Sequence, residues 1–136
     1  VVVFAPFVEE LAKVFPLFYR HGETQRSIVT LGILIGLGFG IAEFFLYVFF
    51  LNVTPLARVA GVVFHATSTA INAYGIAKKS PIPYYLIAVG FHMVYNFFAV
   101  TGDPFFGVLV GVLVLTAVYL LAWRYWNKAA KDKMVV

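Results

Sequence analysis

Ionisable side chains interrupt apolar segments at four places in this sequence. Glu9 and Glu10 are adjacent, and Lys13 follows within the same apolar run. Three later apolar segments each carry an acid or an imidazole, namely Glu43, His65 and His92. An ionised side chain at bilayer depth costs a few kcal/mol or more, so such groups usually face the protein interior and mark function. These groups are therefore the candidates for the chemistry of this chain.

The residue types favour hydrolysis. Two histidines and one or two glutamates match the ligand sets of hydrolytic zinc sites, which keep one position open for water. A further glutamate could take a proton from that water. Asn96, one turn after His92, could donate a hydrogen bond to a developing oxyanion. Because the candidate ligands are not locally spaced, as they are in H-E-x-x-H, the sequence leaves the metal itself open.

The spacing of the polar residues predicts one narrow polar face on each helix. On the third apolar segment, one stripe is formed by Arg58, His65, Thr69 and Asn72. On the first, Glu9 and Lys13 stand at i, i+4, a pairing that would leave Glu10 for other work. Pairing of Glu10 with Lys13 at i, i+3 stays open. At a rise of about 1.5 Å per residue, each of the candidate groups lies roughly 13–16 Å from a helix end. These groups are Glu9, Glu10, Glu43, His65 and His92, and we expect them to share a cavity.

The composition is that of a membrane protein. Of the 136 residues, 62% are hydrophobic and 12% are charged, whereas soluble domains have about 45–50% apolar and about 25% charged residues. The absence of cysteine excludes disulfides and thiolate chemistry. The net charge of +4 arises from basic residues at segment ends, which indicates membrane topology and not nucleic-acid binding.

Five apolar segments predict an all-α, polytopic transmembrane helix bundle in a single domain, 1–136. The predicted spans are 1–19, 27–51, 54–77, 84–100 and 105–126, close to the ~20 residues that cross a bilayer. Gly32, Gly36 and Gly40 form a small-residue ladder of the kind that lets helices approach closely, on the side of the second helix that carries Glu43. The chain starts at Val1 inside an apolar run without signal-peptide features, so we expect that earlier helices precede it.

Lysine and arginine residues predict the orientation in the membrane. If all five segments span, the loops 20–26 and 78–83 and the C-terminal tail share one side, which the positive-inside rule makes cytoplasmic. The other side carries only Arg58 and the acidic Asp103.

The ordered motifs, one per helix, resemble a known family. They are Glu9-Glu10-x-x-Lys13, Phe39-x-x-x-Glu43, the stripe with Arg58 and His65, and His92-x-x-x-Asn96. This set is similar to the PrsW-type intramembrane proteases, which belong to one membrane superfamily with the CAAX prenyl endopeptidases and bacteriocin-processing enzymes. The CAAX enzymes typically carry Glu-Glu-x-x-x-Arg and Phe-x-x-x-His, so Lys13 and Glu43 favour the PrsW branch.

The resemblance implies hydrolysis of a peptide bond in a membrane-embedded or membrane-proximal substrate, by a multi-pass protein of a prokaryotic cell membrane. It implies that Glu10, or Glu9, is the general base and that Asn96 is the oxyanion donor. Metal ligands or water-orienting groups would be Glu43, His65 and His92. A competing mechanism for the superfamily uses no metal and lets the glutamate activate water directly.

Other function classes remain open at this point. A proton- or ion-coupled transporter would also bury glutamate, histidine and lysine side chains near the midplane. However, no internal repeat of the kind many transporters contain is evident in this sequence. A membrane scaffold without enzymatic activity would not explain several ionisable groups at one depth.

Overall fold

Five helices in an all-α bundle make up the fold, as predicted. The structure is a computed structural model that describes residues 3–20, 22–100 and 104–135. The helices are α1 (Phe4–Val14), α2 (Gln25–Phe45), α3 (Pro55–Ala77), α4 (Pro81–Val100) and α5 (Pro104–Lys128). A short antiparallel ribbon, not predicted from the sequence, joins β1 (Glu23–Thr24) to β2 (Met134–Val135). The predicted start at Val1 and the acidic Asp103 lie outside the described residues.

Three of the described helices are long and apolar enough to cross a membrane. They comprise Gln25–Phe50, Pro81–Ala99 and Phe105–Lys128. The helix α3 has 23 residues, but its polar stripe makes it less apolar than these three. The helix α1 is shorter than predicted, because the chain narrows to a 3-10 helix at Phe15–Tyr19. Pro16 lacks the N–H that an α-helix needs at that point and clashes with the preceding turn.

Two other helix boundaries differ from the prediction. At the end of α2 the chain continues as a π-helix, Leu46–Phe50. The helix α4 begins at Pro81, three residues earlier than predicted. Pro81 and Pro83 both fall in its first turn, where backbone N–H groups have no partner within the helix.

The central helix α3 packs against all four other helices. Its closest neighbour is α2, which the glycine ladder brings into contact with the α3 backbone. A Cβ atom at Gly36 would lie 2.2 Å from the carbonyl oxygen of His65, and one at Gly40 would lie 2.8 Å from the Cα of Val62. The ladder is therefore a packing device, and it fixes the height of His65 relative to α2.

One end of the bundle gathers the connection between α1 and α2, the connection between α3 and α4, and the C-terminal tail. We call it the tail end. Here the backbone N–H of Gln25 donates to the carbonyl of Lys133 (2.9 Å), and that of Arg26 donates to Ala130 (3.0 Å). Tyr84 from α4 packs against Tyr125 near the end of α5, at 5.3 Å between ring centroids. The segments predicted to share one side of the membrane thus lie together.

Glu23 is a half-buried carboxylate at the tail end. It accepts hydrogen bonds from the hydroxyl of Ser27 and from the guanidinium of Arg20. These bonds, with that of Ser27 the stronger influence, hold the pKa of Glu23 below its usual range. Glu23 lies outside the polar cluster described below and so offers a control position for variants.

Candidate active site

Glu10 is the centre of a fully buried polar network between α1, α3 and α4. Its Oε1 atom accepts hydrogen bonds from Lys13 Nζ (2.6 Å) and Ser68 Oγ (3.1 Å) and lies 2.9 Å from His92 Nδ1. Its Oε2 atom accepts a hydrogen bond from Asn72 Nδ2 at 2.9 Å. Both oxygens of Glu10 are therefore occupied by partners within the protein.

The predicted pairing of Glu9 with Lys13 is wrong, because Lys13 forms its ion pair with Glu10 at i, i+3. The buried face of α1 contains Pro6, Glu10, Lys13 and Val14. Successive residues of a helix are about 100° apart, since one turn takes 3.6 residues. Glu9 therefore lies at the margin of this face, while Glu10 and Lys13 lie within it.

Glu9 and His92 form a second pair beside this network. The ionised Glu10 can only accept hydrogen bonds, so the Nδ1 atom of His92 carries a proton, and in the neutral imidazole the Nε2 atom has a free lone pair. That Nε2 atom lies 3.6 Å from Oε2 of Glu9. Within the described part of the chain, the buried Glu9 Oε2 atom has no hydrogen-bond partner. A basic nitrogen and an unpartnered carboxylate oxygen thus face each other.

His65 connects the network to a second carboxylate. The ammonium of Lys13, which has no acceptor, lies 3.1 Å from His65 Nδ1, so this nitrogen must accept. His65 then donates from Nε2 to Glu43 Oε2 at 2.8 Å. The same oxygen accepts a hydrogen bond from Arg58 at 2.6 Å. A continuous chain of hydrogen bonds therefore runs from Lys13 through His65 and Glu43 to Arg58.

Aromatic rings hold the two histidines in place. The fully buried Phe64 lies 5.2 Å from His92 and 5.8 Å from His65, measured between ring centroids. Phe39 packs edge-on against His65 at 5.0 Å. The two imidazoles are themselves 5.2 Å apart. Packing of this density restricts the rings to few orientations.

The connected residues form what we call the polar cluster: Glu9, Glu10, Lys13, Glu43, Arg58, His65, Ser68, Asn72 and His92. It contains most of the side chains singled out from the sequence. Thr69 is an exception, because its hydroxyl donates to the carbonyl of His65 and lies at the contact with Gly36. Asn96 is half-buried one turn after His92, and no hydrogen bond to its side chain occurs among the residues described. Ser68 belongs to the network but was not predicted. Its spacing, three residues after His65 and four before Asn72, places it on the same helix face.

Three side chains in the described part of the chain could hold a metal ion together. Each of Glu9, His65 and His92 offers a ligand atom, and these atoms lie within 4.8 Å of one another. In this group Glu9 stands where Glu43 was the predicted ligand. The unpartnered oxygen of Glu9 and the free Nε2 of His92 suit a divalent ion, for which zinc–ligand distances are about 2.0–2.2 Å. His65 would join them only by giving up one of its hydrogen bonds.

The charges in the cluster do not balance. Glu10 is paired with Lys13, and Glu43 with Arg58, but Glu9 has no cationic partner among the described residues except a histidine 3.6 Å away. With neutral imidazoles, one negative charge is left over. A buried carboxylate without compensation is costly, so the site favours binding of a proton or a cation beside Glu9.

The cluster is more open at the end away from the tail. The side chains of Glu10 and Lys13 are fully buried, whereas that of Glu9 is 25% exposed and those of Arg58 and Glu43 are 19% and 17% exposed. Since Glu43 lies near the end of α2 and Arg58 near the start of α3, the cluster is accessible from the side where α2 connects to α3.

Comparison with known proteins identifies the family. No curated protein and no solved structure matches the chain. The family model described as PrsW family intramembrane metalloprotease matches residues 1–123, which include every side chain of the polar cluster. The chain therefore belongs to the PrsW family of intramembrane metalloproteases.

Proposed function

We propose that this membrane protease hydrolyses a peptide bond of a membrane-embedded or membrane-proximal substrate, with Glu9 and His92 at the reacting centre. The observation that carries the proposal is the unpartnered Oε2 atom of Glu9, 3.6 Å from the free Nε2 of His92. Family membership supports hydrolysis over the transport alternative. The wider relationship to the CAAX prenyl endopeptidases stays a prediction from the sequence motifs.

The two adjacent glutamates have different roles in this proposal. In the mechanism without a metal, Glu9 accepts the proton of the attacking water, since it has the free oxygen that a general base needs within hydrogen-bond reach; with a metal bound, the same oxygen would be a ligand. Glu10, the first choice from the sequence, has both oxygens engaged. We assign Glu10 to holding His92 with its proton on Nδ1, so that Nε2 faces the water.

The remaining polar residues orient the groups at the reacting centre or stabilise the developing oxyanion. Asn96 lies on the same face of α4 as His92, and its amide is free to donate to the oxyanion that develops on the scissile carbonyl. Lys13 and Glu43 hold His65 from its two ring nitrogens. Arg58 fixes Glu43 and is itself held over the ring of Tyr47, 3.9 Å from the ring centroid.

A divalent metal ion, with zinc the predicted species, would be held by Glu9 and His92, and by His65 after it exchanges a hydrogen bond. When bound, such an ion lowers the pKa of water and polarises the scissile carbonyl. Glu10 is then the carboxylate that orients His92 as a ligand, a role that carboxylates commonly have beside metal-binding histidines. The mechanism without a metal uses the same residues, with Glu9 as base.

The opening of the cluster supports substrate entry from the end opposite the tail. With the tail end cytoplasmic, as the basic residues predict, this would be the outer half of the bilayer. On the tail side the cluster is bordered by apolar residues, among them Val14, Leu17 and Ile28, and by an apolar cavity of about 150 Å³ that reaches Asn72.

The test is reconstitution of the purified chain into liposomes with a mixture of membrane proteins, followed by mass spectrometry of newly formed N-termini. We expect new termini within or beside hydrophobic segments with the wild type and with Glu23→Gln, and none with His92→Gln. Identical sets of termini with wild type and His92→Gln would refute the proposal.

A further inference from the structure

A groove on the back of the bundle, between α2, α3 and α5, is independent of the proteolytic site. It encloses about 200 Å³ and is lined by apolar and small side chains, including Ile33, Ala70, Tyr119 and Trp126. Its lining on α3 also includes Ala66 and Thr67, which point away from the face that carries His65 and Asn72. A ligand in this groove would therefore not touch the polar cluster.

The groove runs along the membrane normal, parallel to α5. Its lining on α5 extends from Tyr119 to Trp126, two helical turns and a rise of about 10 Å. Trp126 lies at the tail end, two residues before α5 ends, and Tyr119 lies deeper in the bundle. Trp123 and Trp126, stacked at 5.8 Å, form its mouth at the level where aromatic residues favour the membrane interface.

A cation without a carboxylate partner stands at this mouth. The guanidinium of Arg26 lies over the ring of Trp126, 4.0 Å from its centroid. Its N–H groups donate to the backbone carbonyls of Ala129 (3.1 Å) and Asn127 (3.4 Å). The salt bridges formed by the described residues do not include Arg26, so within the described chain these carbonyls at the end of α5, and no carboxylate, face its charge.

We propose that this groove binds an anionic phospholipid, with one acyl chain between α3 and α5 and the phosphate beside Arg26. An apolar slot that reaches from the interface into the bilayer fits an acyl chain. The guanidinium at its mouth, which has no carboxylate partner among the described residues, fits the headgroup phosphate, as basic pockets between transmembrane helices do. A neutral transmembrane helix would fill the slot but leave the charge of Arg26 without a counterion.

The experiment is native mass spectrometry of the chain released from nanodiscs that contain equal amounts of phosphatidylglycerol and phosphatidylcholine. We expect the wild type to retain phosphatidylglycerol in preference. Retention should fall about fivefold in Arg26→Gln, the factor expected for one interfacial cation, and stay near the wild-type value in Arg26→Lys. Thr67→Phe, which places a ring in the groove, should also lose the lipid. Excess glycerol phosphate, the headgroup anion without acyl chains, should not displace it.

Arg124→Gln is the matched control, because Arg124 is an exposed cation at the same end of α5 that, unlike Arg26, is not held over a tryptophan ring at the mouth in the described structure. It should retain the lipid as the wild type does. An equal loss in Arg124→Gln and Arg26→Gln would mean general attraction to the surface and would overturn the proposal. The proposal would also be overturned if the wild type showed no preference for phosphatidylglycerol, or if Thr67→Phe retained this lipid fully. Thermal unfolding of each variant in detergent checks that the bundle stays folded.

Discussion

The Nδ1 atom of His92 lies 2.9 Å from the Oε1 atom of Glu10. This contact determines which nitrogen of His92 is free, and the free nitrogen faces Glu9, not Glu10. Two glutamates that are neighbours in the sequence are thereby separated in function. One is built into the packed interior of the bundle, and the other is left at its margin with an oxygen available for chemistry.

The ion pair between Glu10 and Lys13 should be essential for stability. Removal of one partner of a buried ion pair typically costs about 3–5 kcal/mol, because the other charge is left uncompensated. We expect losses of this size in the free energy of unfolding for Glu10→Gln and for Lys13→Met, measured in detergent. The double variant should lose less than the sum of the two. Additive losses below about 1 kcal/mol, the level typical of exposed pairs, would show that the pair is not a structural unit.

Among the glycines of α2, those of the ladder should not tolerate alanine, whereas Gly38 on another face should. In Gly36→Ala the new methyl group would meet the carbonyl oxygen of His65 at 2.2 Å. Overpacking of this kind typically costs about 1–3 kcal/mol, and the displacement of His65 should also lower cleavage. Gly38→Ala is the control, since nothing lies within 4 Å of its Cβ position. It should raise helix stability by up to about 1 kcal/mol. Equal melting temperatures for the two variants would contradict the packing described for α2 and α3.

Metal content should depend on Glu9 and His92. We expect a divalent ion, zinc by prediction, in the purified wild type, and its loss in Glu9→Gln and His92→Gln. Elemental analysis with X-ray absorption measures both the amount and the ligands. Glu23→Gln, which changes a carboxylate at the tail end, should keep the ion. Fully active wild-type protein without stoichiometric metal would favour the mechanism in which Glu9 acts on water directly.

Much of this architecture can be predicted from the sequence because it depends on local patterns. Apolar runs predict the five helices, and residues spaced by three, four and seven place His65 and Asn72 on one face of α3. The glycine ladder predicts the close contact of α2 with α3. These features require only helical geometry and the cost of burying polar groups.

The division of roles between Glu9 and Glu10 could not be predicted in the same way. Helical spacing allows Lys13 to meet either of them, and the choice depends on which face of α1 the rest of the bundle buries. Likewise, the ribbon at the tail end depends on contacts between distant segments, whereas the shortened first helix has a local cause in Pro16. The division of roles and the ribbon are determined by tertiary packing, which cannot be predicted from the local sequence pattern.

The central claim is that Glu9, not Glu10, is the carboxylate at the reacting centre, either as the base toward water or as a metal ligand. The most direct measurement compares peptide-bond cleavage in liposomes by the wild type and Glu9→Gln, alongside their unfolding in detergent. We predict that Glu9→Gln loses at least about 100-fold in cleavage rate, as expected for removal of a general base, while it unfolds no more easily than the wild type. Cleavage by Glu9→Gln at the wild-type rate would contradict the account.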